Sequence, residues 1–292
     1  MRYKLVLLII FLSTFFTCSY AADTNANANS NGQSKSPNQS QNQTSFTLNK
    51  GSLRDNLNYK EATKINAELA ILYTSNNLLD RAKAKLIKAQ DLAKEHGYDL
   101  AIVDYAAGFY YQAIGSNSRA EDKYKEAISD HKNDYEAINF YAQFLCASKD
   151  EYSKAIKLFE ESLTLRTNNN MAQTLYLYAE CLNKEGKKQD AIEKMIRATK
   201  FNQDYGIAKL RLAELYFDEK DYKNAYKTLY AMKNNKEFFI NRRVLQLRLK
   251  LAEIMDNKNE AAIVRLIISS KDDNDDDNMI DFYLPSSADM EL

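Results

Sequence analysis

The chain has 292 residues, balances 40 basic against 40 acidic side chains, and contains only 7 Gly and 2 Pro. A β-sandwich or an α/β enzyme of this length needs far more of that turn chemistry, so the composition points to helices joined by short turns. Without a basic stripe there is no electrostatic footprint for nucleic acid.

At the amino end, Arg2 and Lys4 precede an apolar run from Leu5 to Phe16, followed by small and polar residues. A positive segment and a short apolar core read as an export signal, residues 1–21, with Ser19 and Ala21 as the small residues of a cleavage site after Ala21. A signal-anchor helix would have to cover a hydrocarbon core of ~30 Å, which this run is too short to do. Cys18 offers a second processing route, as the lipid-modified first residue of a bacterial lipoprotein. The preceding Phe15-Phe16-Thr17 fits that route poorly, because bulky residues stand near the cleavage point. Residues 22–56 are dominated by Asn, Gln, Ser, Thr and Ala and bury too little apolar surface to offset ordering entropy. They are expected to form a disordered linker.

From residue 57 to residue 270 a small–large–small pattern recurs, with the large residue four positions on and the second small one three further. Its copies are Ala82, Leu86, Ala89, then Ala120, Tyr124, Ala127, then Ala155, Phe159, Ser162, then Ala191, Met195, Ala198, then Ala225, Leu229, Met232. A weaker sixth copy centres on Ala261. The leading alanines lie 38, 35, 36, 34 and 36 residues apart, close to the 34-residue period of tetratricopeptide repeats. Upstream of each of the first five stands a partner pair: Ala70 and Tyr73, Gly108 and Tyr111, Ala142 and Leu145, Ala179 and Leu182, Ala213 and Tyr216. Small residues let two antiparallel helices approach, and the large one fills the space toward the next repeat. The expected fold is therefore all-α, a tetratricopeptide solenoid of about six helix-turn-helix repeats, with short insertions placed near Ser116 and Lys149.

The first helices of such an array line a concave groove. Counting along the repeats puts Tyr105, Phe109, Asn139, Gln143, Tyr176, Glu180, Arg211 and Glu214 on it. Aromatic and adaptable polar side chains suit a protein surface. A chaperone adaptor clamping a terminal carboxylate would need several Lys and Arg there instead. His96 and His131, at the ends of second helices, have no metal-ligand spacing, and there is no phosphate-binding Gly loop or nucleophile elbow. No catalytic residue, metal or cofactor is expected. Residues 271–292 open on Asp272, Asp273, Asp275, Asp276 and Asp277, without the central Gly and closing Glu of a calcium loop, and read as an acidic flexible tail.

The third repeat carries more than the general pattern. Asn139-Phe140-Tyr141-Ala142-Gln143-Phe144-Leu145-Cys146, followed by Glu151-Tyr152-Ser153-Lys154-Ala155, resembles the Asn-Asn-Tyr-Gly-x-Phe-Leu-Cys…Tyr-x-x-Ala segment of the PilF/PilW family, with Phe140 and Ala142 replacing Asn and Gly. Ala179-Glu180-Cys181-Leu182 resembles that family's Gly-x-Cys segment at the matching place in the fourth repeat. The resemblance runs from about residue 60 to residue 270. It implies a type IV pilus biogenesis protein, without enzymatic activity, that helps the outer-membrane secretin to assemble or stabilises the pilus. It also implies a periplasmic protein anchored to the outer membrane through a lipid on Cys18. The alternative is a general envelope scaffold recruiting other periplasmic or outer-membrane proteins. Cys146 and Cys181 fall on the first helices of adjacent repeats, which run side by side, so their sulfurs are able to meet in an oxidising compartment. Two separate core cysteines are the other reading of the residues. The family carries the same pair, which implies the bridge.

Overall fold

The computed structural model describes residues 58–272. The expected export signal with Cys18, the linker, and the acidic tail beyond Asp272 lie outside these residues. Among the described residues every regular element is a helix. The first repeat pairs α1 (Tyr59–Ser75) with α2 (Leu79–His96), and the second α3 (Ala101–Ala113) with α4 (Asn117–Asp130). The third pairs α5 (Tyr135–Ser148) with α6 (Tyr152–Thr164), and the fourth α7 (Met171–Glu185) with α8 (Lys188–Phe201). The fifth pairs α9 (Gly206–Asp218) with α10 (Tyr222–Tyr230); a single turn, α11 (Lys236–Phe239), then leads to α12 (Arg242–Ile254) and α13 (Lys258–Asp272). Each pair packs together, each second helix packs on the next first helix, and α1, α3, α5 and α7 stand side by side. This is the tetratricopeptide solenoid. No described helix is long and apolar enough to cross a membrane.

One backbone device recurs in all six turns. Asn77, Gly115, Asp150, Gly186, Lys220 and Asp256 adopt positive φ between 53° and 93°. Each stands five residues before a leading alanine, so the turns keep the same 38, 35, 36, 34 and 36 spacing. The next residue's N–H then reaches back to a carbonyl of the first helix: Leu78 to Tyr73, Ser116 to Tyr111, Lys187 to Leu182, Asp221 to Tyr216 and Asn257 to Ala252, all at 2.8 Å. This left-handed closure satisfies carbonyls that the helix end would otherwise leave bare. Asn and Asp reach the left-handed region at modest cost, which is how six such turns coexist with so few glycines.

The two insertions behave differently. At Lys149 the closing bond runs from Glu151 to Leu145, one residue longer than in the other turns, so that insertion is real. The turn at Ser116 has the common geometry, and the expected insertion there is absent. The extra length of the first spacing lies in α2, whose 18 residues exceed the 14 of α4 by about one helical turn.

Packing follows the pattern closely. Ala82, Ala120, Ala155, Ala191 and Ala225 are fully buried, as are Tyr124, Phe159, Met195 and Leu229. The fifth repeat departs from it, because α10 stops after nine residues and Met232 is buried from the turn beyond. An apolar cluster that includes Leu229, Met232, Val244 and Leu251 still fills that corner, and a polar pair is added to it. Arg248, 5 % exposed, donates from Nε and Nη2 to Glu260 Oε1 (3.0 and 2.7 Å) and from Nη1 to the Phe239 carbonyl (3.1 Å). Its guanidinium also lies 4.1 Å from the Phe239 ring centre.

Two substitutions test the packing register. Ala191→Leu should cost about 1–3 kcal/mol by overpacking and lower the melting temperature by several degrees. An unchanged melting point would place Ala191 away from the helix seam. At Gly108 an added Cβ would sit 2.7 and 2.8 Å from the Tyr124 ring, which is fully buried and anchored through its hydroxyl to Gln112 Oε1 (2.9 Å). Gly108→Ala gains about 1 kcal/mol of helix propensity, yet the clash outweighs it, so chemical denaturation should show a net loss of stability.

Candidate functional site

The side-by-side first helices leave a groove of about 1390 Å³ along α3, α5, α7 and the start of α9. Four of the residues placed there by repeat counting do line it: Phe109, Asn139, Gln143 and Tyr176. Glu180 and Arg211 line a smaller hollow of about 290 Å³ that shares Gln143 and Leu177 with the main groove. Glu214 and Tyr105 line neither. Tyr105 is 2 % exposed, stacks on Phe140 at 4.7 Å, and donates its hydroxyl to Glu136 Oε2 at 2.8 Å. It has no surface to offer a ligand, and its expected role as a groove contact gives way to one in packing between repeats.

The groove floor is built from side chains that hold each other. Asn139 donates from Nδ2 to Thr174 Oγ1 (2.8 Å), and Asn168 Nδ2 converges on the same hydroxyl (3.0 Å). Asn139 Oδ1 is buried without a donor. Such an acceptor costs about 1–3 kcal/mol, a cost carried by the packed floor itself, because Asn139 is 3 % exposed and its Oδ1 is closed off from the groove. Phe109 meets Phe140 edge to face at 5.6 Å, and Tyr176 tilts against Tyr205 at 5.7 Å. Burial pushes the Glu136 carboxyl up from its ordinary value, opposed by the hydrogen bonds it accepts from Tyr105 and Tyr135. The charged lining is sparse and leans acidic, with Asp130, Asp134, Glu136 and Asp204 against Lys64 and Lys132.

Counting along the helices missed the lip. The loops that enter α5, α7 and α9 place Asn133, Asn169 and Asn202 on the groove, and Phe201 stands 60 % exposed beside them. The signal was present as an Asn that recurs just before successive first helices. Asp134 and Asn170 in the same loops accept the amide N–H of Ala137 (2.9 Å) and Gln173 (3.3 Å), capping α5 and α7.

Beyond the groove the first helices are joined by charge. Arg211 Nε donates to Glu180 Oε1 (2.7 Å) and Nη1 to Glu214 Oε2 (3.2 Å), and Glu214 accepts two bonds of 2.6 Å from Arg243. This ladder links α7, α9 and α12. It neutralises Glu180, Arg211 and Glu214 internally, so these residues contribute less free charge to a ligand than their position in the repeats suggests.

Cys146 on α5 and Cys181 on α7 form a disulfide, with Cα atoms 5.8 Å apart. Both are buried, beside the smaller hollow. Lys184 braces the same junction: its Nζ donates to the carbonyls of Cys146 (3.0 Å) and Ala147 (2.7 Å) and pairs with Asp150 (3.0 Å). A cation at the carboxyl end of α5 also opposes the helix dipole favourably.

No family model matches the chain. Over an alignment of 154 residues the chain is 30 % identical to an uncharacterized protein of Haemophilus influenzae, a match that covers 50 % of this chain and 83 % of that one. The chain belongs to that protein's family. Among solved structures it is similar to Pseudomonas aeruginosa PilF, at 19 % identity and a TM-score of 0.56, over 74 % of this chain and 94 % of that one. It is also similar to PilW, a widely conserved type IV pilus biogenesis factor, at 18 % identity and a TM-score of 0.60, over 73 % of this chain and 95 % of that one. The array thus has the fold of the proteins that the third-repeat motif resembles.

The disulfide yields a direct test. The oxidised chain, denatured without reductant, should show no alkylated thiol at Cys146 or Cys181. Closing 35 residues should stabilise the fold by about 3–4 kcal/mol on the chain-entropy account, a loss readable by urea titration of Cys146→Ala/Cys181→Ala. Two alkylated thiols would leave the cysteines a packing role alone.

Proposed function

We propose that the chain is a non-enzymatic scaffold whose groove holds a segment of a partner protein during type IV pilus biogenesis. The observation that carries this reading is the groove itself: about 1390 Å³, lined by aromatic rings and neutral amides. Rigid rings contribute contact area at small entropic cost, and amides adapt to main-chain donors and acceptors. The structural similarity to PilF and PilW supports the pilus setting, and the third-repeat motif supports the outer-membrane secretin as the partner class. Export through the amino-terminal signal and a periplasmic position complete the reading, with cleavage either after Ala21 or before a lipidated Cys18 that anchors the protein to the outer membrane. The buried Cys146–Cys181 bridge suits an oxidising compartment of that kind.

The groove's chemistry narrows how the partner binds. With two lysines against four carboxylates, it has no cluster of cations for a terminal carboxylate or a phosphorylated segment. An extended segment presenting apolar side chains and main-chain polar groups to these rings and amides fits better.

Deletion of the gene should abolish secretin multimers or surface pili. A copy carrying Phe109→Ala and Tyr176→Ala, both part-exposed groove positions, should fold normally and fail to restore them. Wild-type multimers and pili in the deletion strain would remove the pilus reading. Co-purification with other envelope enzymes in that case would point to a general scaffold.

A further inference from the structure

The half-buried carboxylates on the first helices, with one exception, are paired with cations. Glu68 pairs with Lys64, Asp104 with Lys123, Glu180 and Glu214 with Arg211, and Glu185 with Lys187. The exception is Glu136 on α5, which lines the groove and has no ion pair among the described residues. The positive field of Lys64 reaches it, but the Lys64 ammonium is engaged with Glu68 at 3.6 Å.

The two Glu136 oxygens are unequally supplied. Oε2 accepts the Tyr105 hydroxyl at 2.8 Å. Oε1 stands 3.4 Å from the Tyr135 hydroxyl, whose single proton has a nearer acceptor in Asn169 Oδ1 at 2.7 Å. A carboxylate accepts about four hydrogen bonds, so Glu136 keeps capacity for a donor arriving in the groove. Holding a part-buried charge without a counter-ion is costly, and a bound cation would compensate it.

The surroundings select the kind of cation. A divalent metal takes about six oxygen ligands, and among the described residues no three His, Cys, Asp or Glu side chains converge on a point. Phe109 and Phe140 line the same stretch of groove, and ring faces attract an ammonium or a guanidinium. The planar guanidinium fork also matches a carboxylate better than a point charge does. Across the whole groove four carboxylates stand against two lysines, so a positive group is complementary to it.

We propose that Glu136 anchors a basic side chain, arginine above lysine, of the partner segment held in the groove. The proposal rests on the groove as a protein-binding site and adds one cation to the apolar side chains that such a segment presents. A single part-buried pair is screened little by salt, and it would fix the position of the segment along the array.

Panning a phage-displayed library of random peptides against the full chain, as wild type and as Glu136→Gln, tests it. Peptides retained by the wild type should share Arg or Lys at one recurrent position, and those retained by Glu136→Gln should not. An end-blocked synthetic copy of a peptide selected on the wild type should lose affinity on the order of tenfold when its basic residue is changed to Gln. The same change should matter little on Glu136→Gln, because the two groups act through one contact. Gln keeps the size of Glu and an acceptor for Tyr105, so the unliganded variant should melt no lower than wild type. Equal losses on the two proteins, or no loss on either, would overturn the proposal. If those peptides still fail to bind Phe109→Ala/Tyr176→Ala, the groove reading stands without the anchor. Peptides bound equally by Phe109→Ala/Tyr176→Ala and by wild type, or a wild type that retains none, would overturn both.

Discussion

The close approach of two antiparallel helices at a small residue is the constraint on which this molecule depends. Its tightest instance is Gly108 against Tyr124, where the ring occupies the space a Cβ would take. The left-handed turn residue, five positions before the leading alanine, sets the axial offset at which small residue meets small residue. Turn and seam are therefore one device, and their spacings agree residue for residue through all six repeats. Stability in such an array is a sum over repeats and their interfaces, so repeating the device builds the fold without any long-range closure.

Not every interface uses the same chemistry. Between the third and fourth repeats a buried disulfide and the Lys184 brace reinforce the pair of helices that supplies most of the groove floor. From the fourth repeat onward the first helices are linked by the Glu180–Arg211–Glu214–Arg243 ladder. At the fifth repeat, where α10 is short, a buried Arg248–Glu260 pair with Phe239 joins the apolar cluster at the corner. A pair so buried is a specificity device more than a source of stability, since removing either partner strands a charge. The result is an array whose groove runs along the first helices from the first repeat to the fifth, with polar cross-links concentrated in its carboxyl half.

That division bears on function. Rings and amides in a groove with few free charges recognise shape and main-chain hydrogen bonds in preference to net charge. Salt should therefore matter less to such an interface than to one built on ion pairs. The residues that the repeat pattern alone would nominate as charged contacts are already engaged with one another.

The repeat was legible in the sequence because its period is carried by residue size, and size at the seam is what close packing selects. Phe109, Asn139, Gln143 and Tyr176 were legible as groove residues for the same reason, since a repeat position implies a side of its helix. Tyr105 was misplaced because position on a helix does not say how far a neighbouring repeat covers it, and Phe140 and Glu136 close over that ring. The extra residues of the first repeat were misplaced too, because a helix absorbs one more turn with no composition mark. The lip of Asn133, Asn169 and Asn202 lies in loops, where no helical period operates. By itself the sequence determined the period, the pairing of helices and the placement of the two cysteines on neighbouring first helices. Only the tertiary structure decided which first-helix side chains stay open and which are spent on one another, because exposure and ion pairing depend on neighbours some 30 residues away, as in Arg211 with Glu180.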